Sequence, residues 1–227
     1  MQDLGVQMIH DVSPLNAHIA ALPEVEQQAA LVLVFGLIRM NDYVSNFAAA
    51  VALLEFSDIQ AERLKTGGLK EQPDSEISPV IATLTSWRGL AARDAAMTLF
   101  HFRETLEGVR SHLDDVPTAK PHVDVPKLRL ADKLFRSKSP HFEEIRHATA
   151  HLAELTESFD QLKTNLANGT FVYGRVLGKR YEVTINGHHY SFEVSKEVLN
   201  TLIQVTNMTY DSFPVWREHL PKLTAKT

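Results

Sequence analysis

The chain has no cysteine among its 227 residues. That absence excludes disulfides, thiolate metal centres and a cysteine nucleophile, and it gives no support to an oxidising compartment. A phosphate-cradling glycine loop is missing too, because Gly67-Gly68 lacks the Lys and Ser/Thr that would have to follow. No apolar run is long enough to span a bilayer: Arg39, Asn41, Asp42 and Asn46 cut the most apolar stretch, Ala29 to Phe56, into short pieces. The stretch Met1 to Asp11 carries Asp3 where a signal peptide would be basic. A cytoplasmic location without membrane association is therefore expected. Basic charge is not in excess either. A formal net charge of −5 argues against nonspecific nucleic-acid binding by the whole surface.

Apolar residues at 44% and charged residues at 22% are enough to fill a substantial core in one large domain, or in one domain with an appendage. Pro23 at the first helical position, with Glu24 and Glu26 behind it, predicts a helix opening after Leu22. Leu31, Val34, Phe35, Ile38, Phe47, Val51 and Leu54 cover most of its circumference and place it centrally. Thr66 to Asp74 reads as a loop. A second long helix is predicted from about Pro79 to Leu113, followed by a proline-marked connection and a short basic helix, Lys127 to Phe135.

Ser139-Pro140 then supplies an N-cap and N1 pair for a third long helix. Its apolar series Phe142, Ile145, Thr149, Leu152, Phe159, Leu162 and Leu166 ends at Asn168-Gly169. Beyond it the period changes. Phe171 to Leu177, Lys179 to Ile185 and His188 to Val194 read as strands, with Asn186-Gly187 a hairpin turn and a short helix from Lys196 to Met208 after them. The expected fold is mainly α, an antiparallel helical bundle over residues 1–168, with a three-stranded antiparallel β-meander and short helix over 169–227 packed on the bundle.

The greatest chemical content lies in Arg146-His147-Ala148-Thr149-Ala150-His151. An arginine offers a permanently charged, planar fork of donors suited to phosphate. A histidine with an ordinary imidazole pKa takes and returns a proton near neutrality. Together they suffice to cleave RNA without a metal. The histidine acts as general base on the 2′-hydroxyl, and the arginine stabilises charge on the phosphoryl oxygens. Just upstream, between Pro117 and His141, six basic residues face only Asp124 and Asp132. Lys127, Arg129, Lys133, Arg136 and Lys138 are the candidate nucleic-acid contacts, unless they form a solvated helix face.

The stretch from Ile145 to Leu152 resembles the R-x4–6-H signature of the HEPN superfamily, small helical-bundle domains, over roughly residues 23–167. The resemblance implies a metal-independent ribonuclease of a toxin–antitoxin, phage-defence or RNA-processing system. Arg146 would contact phosphate, His151 would be catalytic, and His147 would be its polar support. It also implies a homodimer in which two copies of the signature meet, with RNA as substrate and an antitoxin-like protein as a possible partner. No cofactor and no metal enter that chemistry. Residues five apart on a helix diverge by about 140°, which also favours a site shared between two protomers.

Other readings of these residues stay open. Arg146 can pair with Glu143 or Glu144, and His151 can bond at a helix interface, with no function required. Glu144-x-x-His147 with His151 has metal-ligand spacing, but the second E-x-x-H of a di-iron bundle is missing. Arg93-Asp94, His101 and Arg103 are weaker candidates, and helical spacing puts one of the last two toward solvent. A catalytically silent interaction or RNA-binding module is the alternative to the nuclease.

Overall fold

The computed structural model describes residues 13–64, 66 and 74–224. Seven α-helices and one sheet lie among them: α1 (Ser13–Ala20), α2 (Glu24–Arg63), α3 (Asp74–Ser111), α4 (Val125–Lys138), α5 (Phe142–Ala150), α6 (Phe159–Thr164), β1 (Arg175–Leu177), β2 (Arg180–Ile185), β3 (His188–Glu193) and α7 (Lys196–Asp211). The fold is thus mainly helical with a small antiparallel sheet, as the sequence predicts. The stretch Met1 to Asp11 and most of the predicted Thr66–Asp74 loop lie outside the described residues.

The contacts divide the chain into two compact units. One comprises Met1–Ser45, Leu99–Pro140 and Glu197–Thr227, and the other Asn46–Thr98 and His141–Lys196. The sheet and the helix that follows it therefore fall in different units, α7 grouping with α1 and α4.

In the first unit, Leu33, Leu37, Met40 and Val44 of α2 are buried at three- and four-residue steps, together with Phe102 and Leu106 of α3. The expectation that apolar residues wrap α2 is corrected here. Leu31, Val32 and Phe35 are exposed, so burial follows one stripe only. Phe102 stacks on Phe135 of α4 at 5.5 Å. The buried Tyr210 of α7 donates from its hydroxyl to the Leu37 carbonyl at 2.9 Å, and burial pushes its phenol well above the ordinary value. Glu26 does more than favour the helix dipole. Buried, it accepts from the backbone N–H and hydroxyl of Thr118 at 3.0 and 2.7 Å.

At Gly36 α2 lies tightly against α3, since a Cβ there would stand 2.7 Å from Val109 Cγ2. Val109 is buried and stiff about χ1, so it has little room to yield. Gly36→Ala is therefore expected to destabilise by about 1 kcal/mol, the overpacking outweighing alanine's better helix propensity. In a Val109→Ala background the same change should be neutral or stabilising. Chemical denaturation of the four-member cycle measures this, and additive effects would refute the contact.

In the second unit the sheet is a β1-β2-β3 meander. Asn186 and Gly187 both adopt positive φ, 51° and 76°, as a two-residue hairpin turn requires. Tyr181, Val183 and Ile185 of β2 are buried, and α5 packs against β2 and β3. Arg88 of α3 pairs with Asp58 of α2 and donates to the Gly178 carbonyl at 2.9 Å.

The third long helix is the main correction. Ser139-Pro140 ends α4 instead of opening α5: Ser139 N donates to Phe135 O at 2.9 Å, and the residue before α5 is His141 at φ 64°. The helix then stops at Ala150, with His151 at its C-cap. A separate short helix starts after Ser158, whose hydroxyl accepts from Gln161 N at 3.2 Å. The break follows from that cap. Ser158 is an N-cap, and the Gln161 side-chain oxygen lies 3.4 Å from the same hydroxyl and not on the Ser158 N–H, so one half of a capping box forms. Capping the new start is favoured over carrying Ser158 mid-helix. Phe159, read as core, is 78% exposed as a consequence. Asn168-Gly169 forms a tight turn bridging Ala167 and Thr170, with reciprocal N–H···O bonds of 2.9 Å. The buried Asn165 caps α6. It donates to Gln161 O at 2.9 Å and accepts from Asn186 N at 2.9 Å.

Candidate functional site on α5

Phe142, Ile145 and Ala148 bury one face of α5. Arg146 is half-buried beside that face, and His147 is exposed. At the end of the helix His151 is half-buried, its ring 4.8 Å from that of His147. Its Nδ1 lies 2.8 Å from Glu154 Oε1. A carboxylate only accepts, so Nδ1 is the donor, and in the neutral form of the ring this contact leaves the lone pair on Nε2. An imidazole held in that tautomer is a competent general base. His151 keeps the helical bond at the C-cap, its N–H donating to His147 O at 3.0 Å, so a divergence of about 140° from Arg146 still holds.

Around this group, Thr149 couples α5 to the sheet. Its hydroxyl donates to Ile145 O at 2.6 Å and lies 3.2 Å from the Tyr181 hydroxyl. Burial pushes the Tyr181 phenol up, against the Thr149 bond and the Arg93 charge, while Tyr173 adds to the rise. Arg93 thus reaches the neighbourhood of α5 through Tyr181. Asp94 is raised by burial alone.

Not all the sequence candidates come together. Lys127, Arg129, Lys133, Arg136 and Lys138 lie on α4 in the first compact unit, whereas Arg146, His147 and His151 belong to the second. On α4 the buried face is Leu128, Ala131 and Phe135, and all the basic candidates but the half-buried Lys127 are exposed. The E-x-x-H arrangement does not gather either. Glu144 lies 3.8 Å from His141 and Glu154 takes His151, so among the described residues Glu144, His147 and His151 form no metal-spaced set. Of the pair flanking Phe102, His101 is exposed and Arg103 is buried.

Glu182 is a residue that no sequence signal singles out. Alternation in β2 assigns it to the polar face, yet its side chain is 3% exposed, beneath Arg175, Arg180 and His189 at 2.6, 3.0 and 3.7 Å. Burial acts upward on this carboxyl, but the Arg175 bond and charge, then Arg180 and His189, outweigh it and hold it below the ordinary 4.5. A depressed folded value means the stabilisation is complete above 4.5 and is lost as the pH falls through the lower folded value. Glu182→Gln should therefore cost about 1–2 kcal/mol at neutral pH, toward the low end because the arginines covering it are half exposed. The gap from wild type should close on acidification. A gap independent of pH in urea titrations would contradict this assignment.

Comparison with protein-family models, curated proteins and solved structures finds no match to this chain.

Proposed function

We propose that this protein is a metal-independent RNA-cleaving enzyme of HEPN type. The observation that carries the reading is the His151–Glu154 pair at 2.8 Å, which leaves Nε2 of a half-buried imidazole available as a base. In the proposed reaction His151 takes the 2′-hydroxyl proton, the oxygen attacks the adjacent phosphorus, and the 5′-oxygen leaves with a returned proton. Arg146 stabilises the phosphoryl oxygens, and His147 is the polar neighbour. The basic face of α4 supplies backbone contacts to RNA, and a homodimer brings two copies of the site together. No helix of the described residues is long and apolar enough to cross a membrane.

The test compares RNA cleavage by wild type, Arg146→Ala and His151→Ala in EDTA, with each variant checked for folding by circular dichroism. Cleavage by wild type alone supports the proposal. Equal cleavage by all three, or none on several RNAs, defeats it. In the second case a catalytically silent dimeric interaction module takes its place, a reading favoured by the exposed Leu31, Val32 and Phe35 of α2.

A further inference from the structure

Within the first compact unit, three ligand-type side chains converge: His18 of α1, and Glu218 and His219 of the 3-10 turn Arg217–His219. One ligand atom from each lies within 4.8 Å of the other two. His18 Nε2 is 3.3 Å from His219 Nε2, which in turn is 3.2 Å from Glu218 Oε1. A tetrahedral zinc ion with bonds of about 2.0–2.1 Å holds its ligand atoms about 3.3 Å apart, the tetrahedron's edge being roughly 1.6 times its radius. Both measured separations have the length of such an edge. We propose that His18, Glu218 and His219 bind a divalent transition ion of the zinc type through two imidazole nitrogens and one carboxylate oxygen.

Hydrogen-bond chemistry points the same way. A neutral imidazole Nε2 either gives or takes a hydrogen bond, and His219 Nε2 faces both a nitrogen and a carboxylate. A cation satisfies all three atoms at once. The frame is also tied down on both sides of His219. Asn207 accepts from Leu223 N at 3.1 Å and donates to Leu223 O at 2.8 Å, Arg217 Nη1 donates to Leu220 O at 2.9 Å, and Trp216 stacks on Phe213 at 5.3 Å. Ligands held by a fixed scaffold lose little freedom on binding.

Three protein ligands leave a fourth position for water or a small molecule. His18 also lines a cavity of about 290 Å³ walled by Leu22, Val123, Phe213, Val215 and Trp216, with His122 on its surface. The ion would therefore sit beside an apolar cavity that suits a small ligand with one donor atom and an apolar body. This site shares no residue with the cleavage reading, and the RNA assay in chelator leaves the ion out, so the two proposals fail separately.

The test uses the full chain without a histidine tag, stripped by chelator and titrated with Zn2+ by calorimetry. Co2+ replaces zinc for visible absorption, which reports tetrahedral coordination. Wild type should take one equivalent. His18→Ala and His219→Ala should each lose about a hundredfold or more in affinity, along with the cobalt spectrum, while the remote His188→Ala should change neither. Glu218 is 75% exposed, so Glu218→Gln leaves the fold intact and should still weaken binding by about tenfold. No zinc uptake by wild type at micromolar concentration overturns the proposal. So does uptake unchanged by the Glu218 and His219 variants.

Discussion

Arg103→Ala is expected to cost about 3 kcal/mol of stability, read as a fall in the urea midpoint at unchanged m-value. The side chain is 1% exposed, with Nη1 2.7 Å from Glu107 Oε2 and Nε 3.2 Å from Asp132 Oδ1. Asp132 is 13% exposed and also holds Arg110 at 2.7 Å and Arg136 at 3.4 Å. A carboxylate shared by three guanidiniums joins α3 to α4 within the first unit. Truncating Arg103 removes its packed aliphatic stem as well as its charge. The figure stays at the lower end of the range for a broken buried pair because Asp132 keeps Arg110. Arg103→Met restores the stem without the charge and should recover about half the loss. Arg136 is 51% exposed, and its replacement by alanine should stay within about 0.5 kcal/mol. An Arg103→Ala variant within 1 kcal/mol of wild type, well below the loss expected for a buried pair, would show that the cluster does not hold α4 in place.

Local chemistry was readable where it was also sufficient. The Pro23–Glu24–Glu26 start of α2 and the Asn186-Gly187 turn each specify their element and form as expected. By contrast, α3 already opens at Asp74, with the predicted start Pro79 inside it, and part of the α2 apolar series, Leu31 and Phe35, faces outward. Between Ala150 and Phe159 two local signals compete. Apolar residues continue at helical spacing through Leu152 and Phe159, while Ser158 and Gln161 write a new helix start, and the cap prevails.

Tertiary partnerships were hidden altogether. Nothing near Glu182 announces that Arg175, Arg180 and His189 will cover it, and the His18–His219 contact joins residues 201 positions apart. For the candidate site, the residues Arg146, His147 and His151 were legible as chemistry. The Glu154 partner of His151 lies three residues on, a spacing that even a continuous helix would place on the same face.

His151→Ala is expected to lower kcat for RNA cleavage by about 10²–10⁴-fold, the range for removing a positioned general base. The proposal makes a graded series around this value. Glu154→Gln keeps an oxygen that can accept from Nδ1 but removes the charge, and Glu154 is 66% exposed, so its share of orienting the ring is on the order of 1 kcal/mol, or roughly fivefold in rate. His147→Ala removes a ring 4.8 Å away that makes no such bond to His151, and should cost less than His151→Ala. Arg146→Ala acts on the phosphate and not on the proton, so its loss should multiply with that of Glu154→Gln in the double variant. The ordering His151 above Glu154 is the discriminating result. If Glu154→Gln abolished cleavage as fully as His151→Ala while both stayed folded, the carboxylate itself would be the base and the assigned roles would reverse. If His151→Ala left cleavage unchanged, the activity would reside elsewhere, and the pair at the end of α5 would be a surface contact that closes the turn after the helix.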